Sequence, residues 1–478
     1  MIQLLPHACD QLPSSMVQRQ APTPAPQPAW VHFNASLAAE LNLPVAPFAE
    51  DLALLSGGQS KAGCDPVALA YAGHQFGHFV PQLGDGRAVW LGDAMDATGN
   101  RYDIQLKGSG RTPFSRSGDG LSPLGPVIRE YLVSHAMHHL GIPTTRSLAA
   151  IQTGQPVYRD IPLPGGVLTR VARSHIRVGS FQFLAAHHTT SDCQKLIAYC
   201  IDRLYPELAD ASNPALALLD AVVQRQASRL SQWMGVGFIH GVMNTDNMAI
   251  SGETIDYGPC AFMEEFDPHC VFSAIDSTGR YAFSNQPAIA HWNLIQLAIA
   301  IAPPDRLSEY TAIVDSFWPQ FQTNWYTHMA AKIGLRSYEP NDAPLIDQFL
   351  TRLVQSKRDY TNTFRDLSHW LRHQNSDGSS KSVHPELDPW MASWTDRLNQ
   401  TNQTWATIAD EMDLINPAVI PRNHAIEAII SAAMTGDYQP LNDWFDRLTH
   451  PFTRQPFDDR FTTPATLDER VTQTFCGT

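Results

Sequence analysis

Cysteine is sparse in this chain and never clustered. Seven residues (Cys9, Cys64, Cys193, Cys200, Cys260, Cys270 and Cys476) are spread over 478 positions without a C-x-x-C pair. That usage excludes a disulfide-stapled scaffold and a cysteine-built zinc site, and it fits a reducing compartment. Apolar runs are short, and none approaches the ~18 residues that a membrane-spanning helix needs. Met1 to Trp30 lacks a basic segment followed by an apolar one, so no secretory leader is expected. Positive charge is in the minority: 33 Lys and Arg stand against 47 Asp and Glu, a net charge of −14. A balance of that sign opposes non-specific adhesion to nucleic acid or to an anionic membrane. No heptad repeat demands self-association. The chain is therefore expected to be a cytoplasmic monomer without nucleic-acid or membrane partners.

What is present is enough apolar residue, 43% of the chain, to bury a large core. Ala21 to Pro28 (APTPAPQP) reads as an extended proline-rich arm. Ala88 to Leu91 and Ile104 to Leu106 read as strands on either side of a turn-rich stretch from Asp93 to Gly99. Pro126 opens a helix in which Ile128, Tyr131, Leu132 and His135 recur at helical spacing, the mark of one buried face, and Gly141 with Pro143 closes it. A second helix runs from about Ala215 to Met234, and beyond Asn285 the pattern is helical throughout. Strands with one helix come first and helices follow. This order predicts an α+β protein of two parts with its site in the cleft between them.

Three local patterns carry chemistry. In Gln82-Leu83-Gly84-Asp85-Gly86-Arg87 two glycines would let backbone N–H groups approach a phosphate, with Arg87 as a charged donor. A plain turn is the ordinary reading of such a tetrad. Lys107 ends a predicted strand and Glu130 sits on the following helix, the order of the lysine–glutamate pair that holds nucleotide phosphates in kinases. Arg170 and Arg177 belong to a basic cluster, Leu168 to Gly179, whose guanidinium forks suit phosphate oxygens in an otherwise acidic chain. Salt bridges to the many carboxylates are the competing explanation.

The fourth pattern decides between these readings. His240-Gly241-Val242-Met243-Asn244-Thr245-Asp246-Asn247 has the span of the kinase catalytic loop H-R-D-x-x-x-x-N, with His240 first and Asn247 last. Val242 occupies the place of the catalytic aspartate, and a valine cannot accept a proton. Asp246 offers a carboxylate from a different position. Asp256-Tyr257-Gly258 follows as a relative of D-F-G, so Asn247 and Asp256 are suitable oxygen ligands for Mg²⁺.

Taken together these segments resemble the selenoprotein O family of kinase-like protein adenylyltransferases, of which this would be a cysteine-containing bacterial member. The matching stretches are Tyr71 to Gly77, Gln82 to Arg87, Gln105 to Gly120, Gly165 to Phe183, His240 to Pro259, and Gln286-Pro287 with Trp292-Asn293-Leu294. The resemblance implies a protein-kinase-like two-lobed fold with a β-rich N-lobe and a helical C-lobe. Residues 1–70 would be an N-terminal extension, 71–165 the N-lobe, 166–300 the nucleotide and metal site with the start of the C-lobe, and 301–478 the helical C-lobe and tail. It further implies that Gly84, Gly86, Arg87, Lys107, Asp119, Gly120, Arg170 and Arg177 bind the nucleotide, with Glu130 paired to Lys107. Asp246 would be the general base, and Asn247 and Asp256 would hold Mg²⁺ or Mn²⁺. ATP would lie inverted relative to kinases, so that AMP passes to a Ser, Thr or Tyr hydroxyl of a protein and pyrophosphate leaves. Cys476, third from the end where some members carry selenocysteine, would be a redox handle with Cys270 as its expected partner; an ordinary free thiol is the competing reading.

Two other classes compete with AMP transfer. One is a phosphotransferase with Asp246 as a displaced base, which Val242 opposes. The other is a nucleotide-binding pseudokinase scaffold, which would have no need of metal ligands. UTP in place of ATP as donor is left open.

Overall fold

The computed structural model describes residues 1–58, 65–187, 190–373, 385–453 and 459–475. Cys64 and Cys476 therefore lie outside the described residues.

Among the described residues a nine-stranded antiparallel sheet comes first along the chain. Its strands are β1 (Val17–Arg19), β2 (Ala29–Phe33), β3 (Val67–Gln75), β4 (His78–Gly84), β5 (Ala88–Met95), β6 (Arg101–Lys107), β7 (Ser122–Pro123), β8 (Arg146–Tyr158) and β9 (Pro162–Ala172). The order is β1-β3-β5-β6-β9-β8-β2, with β4 paired to β3 and β7 to β9. Residues ahead of position 70 thus supply two strands of this sheet. β5 and β6 meet in a hairpin that the sequence foresaw. Its turn is closed by Asp96 Oδ1, which accepts the backbone N–H groups of Thr98 and Asn100, both at 2.9 Å. The pairing Gln105–Arg170 and Lys107–Leu168 between β6 and β9 sets which side chains meet at the end of the sheet.

Helix α1 (Ala35–Glu40) and α2 (Ala49–Leu55) lie in the N-terminal segment, and α3 (Leu124–His139) crosses the sheet. Pro126 is the third residue of α3, where its missing N–H has no intrahelical acceptor to lose. Periodicity predicts one buried face, but α3 is buried nearly all round, Arg129 and Glu130 included. The sheet covers one side through β8 and β9, while Val419, Ile429 and Phe445 from the end of the chain share an apolar cluster with Ile128 and Leu132 on the other. Such a helix loses its amphipathic signature because it has no solvent face.

Beyond the sheet come α4 (Val178–His187), α5 (Thr190–Leu204), α6 (Pro214–Gly235) and α7 (Gln286–Ile301), with eight more helices from Leu307 to Leu448 among the described residues. Asn213 caps α6 through its side chain, with Pro214 as the first helical residue. Between α6 and α7 lies mostly irregular chain with one short pair of strands, Phe238–Ile239 against Ala261–Phe262. That irregular stretch holds the catalytic-looking motifs. α7 fixes it from beneath: the fully buried Gln286 accepts from the His240 amide at 3.0 Å and donates to the Phe238 carbonyl at 3.0 Å, and Asn293 donates to the Met243 carbonyl at 2.9 Å. The architecture is α+β, an antiparallel sheet followed by a helical region. No helix among the described residues is long and apolar enough to cross a membrane.

Candidate active site

The chemistry collects where the end of the sheet meets the irregular segment. Lys107, last in β6, reaches Glu130 of α3 at 2.6 Å and Asp256 at 2.8 Å. Arg170 of β9 lies beside it and bonds Asp256 at 2.7 Å and Glu130 at 3.2 Å. Arg177, just past β9, meets the other carboxylate oxygen of Asp256 at 2.9 Å and donates to the Asp246 carbonyl at 2.8 Å. Three cations from three elements therefore converge on one aspartate. Burial alone would raise the Asp256 carboxyl, but Lys107, Arg170 and Arg177 hold it well below the usual carboxylate range. Its backbone takes φ +65°, a left-handed conformation that costs an Asp about 1 kcal/mol and aims the carboxylate at the cations.

The guanidinium of Arg170 is fully buried and held rigidly. Gln105 Oε1 accepts from its Nε at 3.2 Å and Nη2 at 2.7 Å, and Gln105 in turn donates to Asp85 at 3.2 Å. Arg177 lies over the ring of Tyr71, 4.7 Å from its centroid. Neither arginine can swing away, so both present fixed charge to whatever fills the cleft.

That cleft measures about 880 Å³, ample for a nucleotide. All the sequence-predicted residues of the site line it: Gly84, Gly86, Arg87, Lys107, Asp119, Gly120, Glu130, Arg170, Arg177, Asp246, Asn247 and Asp256. Two amides of the glycine turn are paired within the protein. The Asp85 amide donates to the Leu69 carbonyl at 2.9 Å and the Gly86 amide to the Gly84 carbonyl at 2.7 Å, so neither N–H points at the cleft unpaired. The turn also admits the segment after Lys107: a Cβ at Gly84 would stand 2.4 Å from Phe114 Cγ, and Thr112 Oγ1 donates to the Asp85 carbonyl at 2.7 Å. That segment forms a wall of the cleft, pinned at Asp119 by Arg159 at 2.8 Å.

Asp246 is buried, and its Oδ1 has no hydrogen-bond partner. Burial pushes its carboxyl up to about 6, with Arg177 pulling the other way. His240, by contrast, is structural: it is fully buried, its Nε2 lies 2.8 Å from the Ile255 carbonyl, and burial lowers its ring to about 4. Asn247 Nδ2 donates to the Val242 carbonyl at 2.9 Å, which turns its Oδ1 the other way.

Several cleft residues carry roles that sequence reasoning did not assign. Tyr71 and Gln75 lie in a stretch noted only for its resemblance, and the Asp85–Gln105 relay behind Arg170 needs strand register to be seen. Arg159 sits in a turn and sends no local signal. Cys270 is half-buried and burial pushes its thiol up to about 12. The described tail reaches its neighbourhood, since Thr474 pairs with Ser273 and donates to the Phe272 carbonyl at 2.7 Å.

A rigid polycation facing a nucleotide-sized cleft, with a buried carboxylate at its edge, defines a phosphate-ester enzyme. Comparison narrows the class. The family model described as protein adenylyltransferase SelO matches residues 5–449. Proteins called "Protein nucleotidyltransferase YdiU" are similar over almost their whole length. That of Bradyrhizobium sp. is 50% identical over 98% of this chain and 97% of its own. That of Rhizobium rhizogenes is 49% identical over 98% and 95%, and that of Rhodopseudomonas palustris 48% identical over 98% and 97%. The chain belongs to the SelO family of protein adenylyltransferases.

Proposed function

We propose that this protein transfers AMP from ATP to Ser, Thr or Tyr hydroxyls of other proteins, within a protein-kinase-like fold whose N-lobe spans 71–165 and whose helical C-lobe follows the site at 166–300. The observation that carries the reading is Asp246: a buried carboxylate among the residues that line the cleft, in a chain whose kinase-type base position is Val242. A carboxyl near 6 is ionised at neutral pH yet basic enough to accept a proton.

In the proposed reaction the acceptor oxygen attacks the α-phosphorus, and its proton passes to Asp246. The bond from the α-phosphorus to the bridging oxygen breaks, and pyrophosphate departs with that electron pair. Lys107, Arg170 and Arg177, held in place by Glu130, Gln105 and Asp256, stabilise the charge that grows on the phosphate oxygens. Arg87, Asp119 and Gly120 flank the nucleotide. Asn247 and Asp256 fit a hard divalent ion: Asp256 is held ionised and Asn247 presents an amide oxygen. Mg²⁺ or Mn²⁺ bound there supplies charge neutralisation at phosphate oxygens.

The test is incubation of the purified protein with a protein acceptor and ATP labelled at the α- or the γ-phosphate. Label transferred from α-labelled ATP alone supports the reading. Label from γ-labelled ATP alone makes the protein a kinase with a displaced base and overturns it.

A further inference from the structure

Gly73 lies within β3, opposite Val80 of β4, and its backbone is outside the left-handed region that would call for glycine. Glycine inside a strand weakens it, and its usual justification is a close approach. Here the approach is to Asp246. A Cβ at position 73 would stand 2.3 Å from Asp246 Oδ1, 2.9 Å from Cγ and 3.0 Å from Cβ. The space that a side chain would fill at 73 is the space the carboxylate occupies.

The chain just beyond that contact grips the turn. The His74 amide donates to Thr245 Oγ1 at 2.7 Å, and the Phe76 amide to Asn244 Oδ1 at 3.0 Å. Thr245 Oγ1 donates onward to Gln182 at 2.6 Å, and Gln182 Nε2 lies 2.9 Å from His74 Nδ1, closing a ring of contacts. Gly179 serves this fit too, since a Cβ there would meet the Ala72 carbonyl at 2.1 Å. The end of β3 and the residue after it are thus held against the 244–247 turn by hydrogen bonds at residues 74 and 76, and β3 is fitted to the turn at residue 73.

We propose that Gly73 is a positioning residue for catalysis, its missing side chain leaving the Asp246 carboxylate its place, and that the edge of β3 sets the aim of that carboxylate. This rests on the reading of Asp246 as the base. The inference predicts that Gly73→Ala folds and binds ATP while its carboxylate is displaced. A displacement of that kind costs on the order of 100-fold in rate.

The experiment measures kcat and KM for ATP for Gly73→Ala, and thermal unfolding of Gly73→Ala, Asp246→Ala and the double variant. The expected result is kcat lower by about 100-fold with KM for ATP within about threefold of wild type. In the thermal cycle, Gly73→Ala lowers Tm in the wild-type background and costs less than half as much beside Asp246→Ala, because Oδ1 and Cγ are then gone. Wild-type kcat in Gly73→Ala overturns the proposal, as does an equal Tm loss in both backgrounds. Should Asp246→Ala retain full transfer, the base assignment fails while the thermal cycle still reports whether 73 and 246 compete for space. A Gly73→Ala chain that folds only beside Asp246→Ala supports the contact directly.

Discussion

Lys107 Nζ lies 2.8 Å from Asp256 Oδ1, a contact between the end of a strand and a loop residue far along the chain. The same oxygen accepts Arg170, and Arg177 takes its neighbour. Asp256 is therefore the counter-ion of the entire cation cluster, and a polyphosphate arriving in the cleft competes for the same charges.

Replacing Asp256 by Asn should leave three buried cations with one carboxylate, Glu130, among them. Breaking a buried pair of this kind costs about 3 kcal/mol. Part of that loss should be recovered on adding pyrophosphate, whose charge substitutes for the missing carboxylate. Because the folded carboxyl is held below its unfolded value, its contribution is present above about pH 4 and lost as pH falls through the depressed value. Thermal unfolding with and without pyrophosphate measures both effects.

Asp246→Asn should abolish AMP transfer and stabilise the protein at neutral pH. Burial raises the folded carboxyl to about 6, above its unfolded value, so ionisation penalises the fold as pH rises through 6. The gain in Tm should appear above pH 6 and vanish below about pH 4. In the wild type, kcat should fall on the acid side of about 6, where the base protonates.

Arg159 braces the cleft wall through Asp119, whose side chain is 41% exposed. An exposed pair contributes about 0.5 kcal/mol, so Arg159→Ala should hardly alter Tm. It should raise KM for ATP several-fold by loosening the wall, with kcat nearly unchanged; steady-state kinetics separate the two.

Lys332 is buried in the helical region with its ammonium 3.9 Å from the Phe364 ring centroid, and burial lowers it to about 7. The unfolded chain binds this proton up to about pH 10, so the fold is penalised progressively as pH falls from 10 to 7 and constantly below that. Lys332→Met should stabilise by about 2 kcal/mol at pH 7, shrinking to nothing near pH 10. Denaturant unfolding at the two pH values checks the sign.

The tail offers a redox prediction. Thr474 pairs with Ser273, close in sequence to Cys476 and Cys270 respectively. If the terminal thiol acts as a switch, oxidant and reductant should alter transfer in the native chain and not in Cys476→Ser. An equal response from both would remove Cys476 from the mechanism.

Much of the site was legible in the sequence because its residues stand in short motifs with fixed spacing. Val242 in place of a base, Asp246 beside Asn247, and Asp256-Tyr257-Gly258 are local facts. Lys107 and Glu130 were legible as a pair because a strand end and the next helix are near neighbours in space as in sequence. A second role of the glycine turn was not legible: Gly84 and Gly86 also make room for Phe114 and its neighbours, a contact across a loop that no local pattern announces. α3 was misread as one-faced, since the helices that cover its second side come from the far end of the chain.

The sequence by itself determined the β5–β6 hairpin, the helices opened at Pro126 and near Ala215, the motifs and the charge types, for these depend on spacing and side-chain chemistry along a few residues at a time. Only the tertiary structure decided that Arg170 is braced through Gln105 and Asp85, that three cations share Asp256, and that Gly73 makes room for Asp246. Each of those depends on strand register or on the approach of segments distant in the chain, and a one-residue slip in register would have turned Gln105, Lys107 and Arg170 to the opposite face.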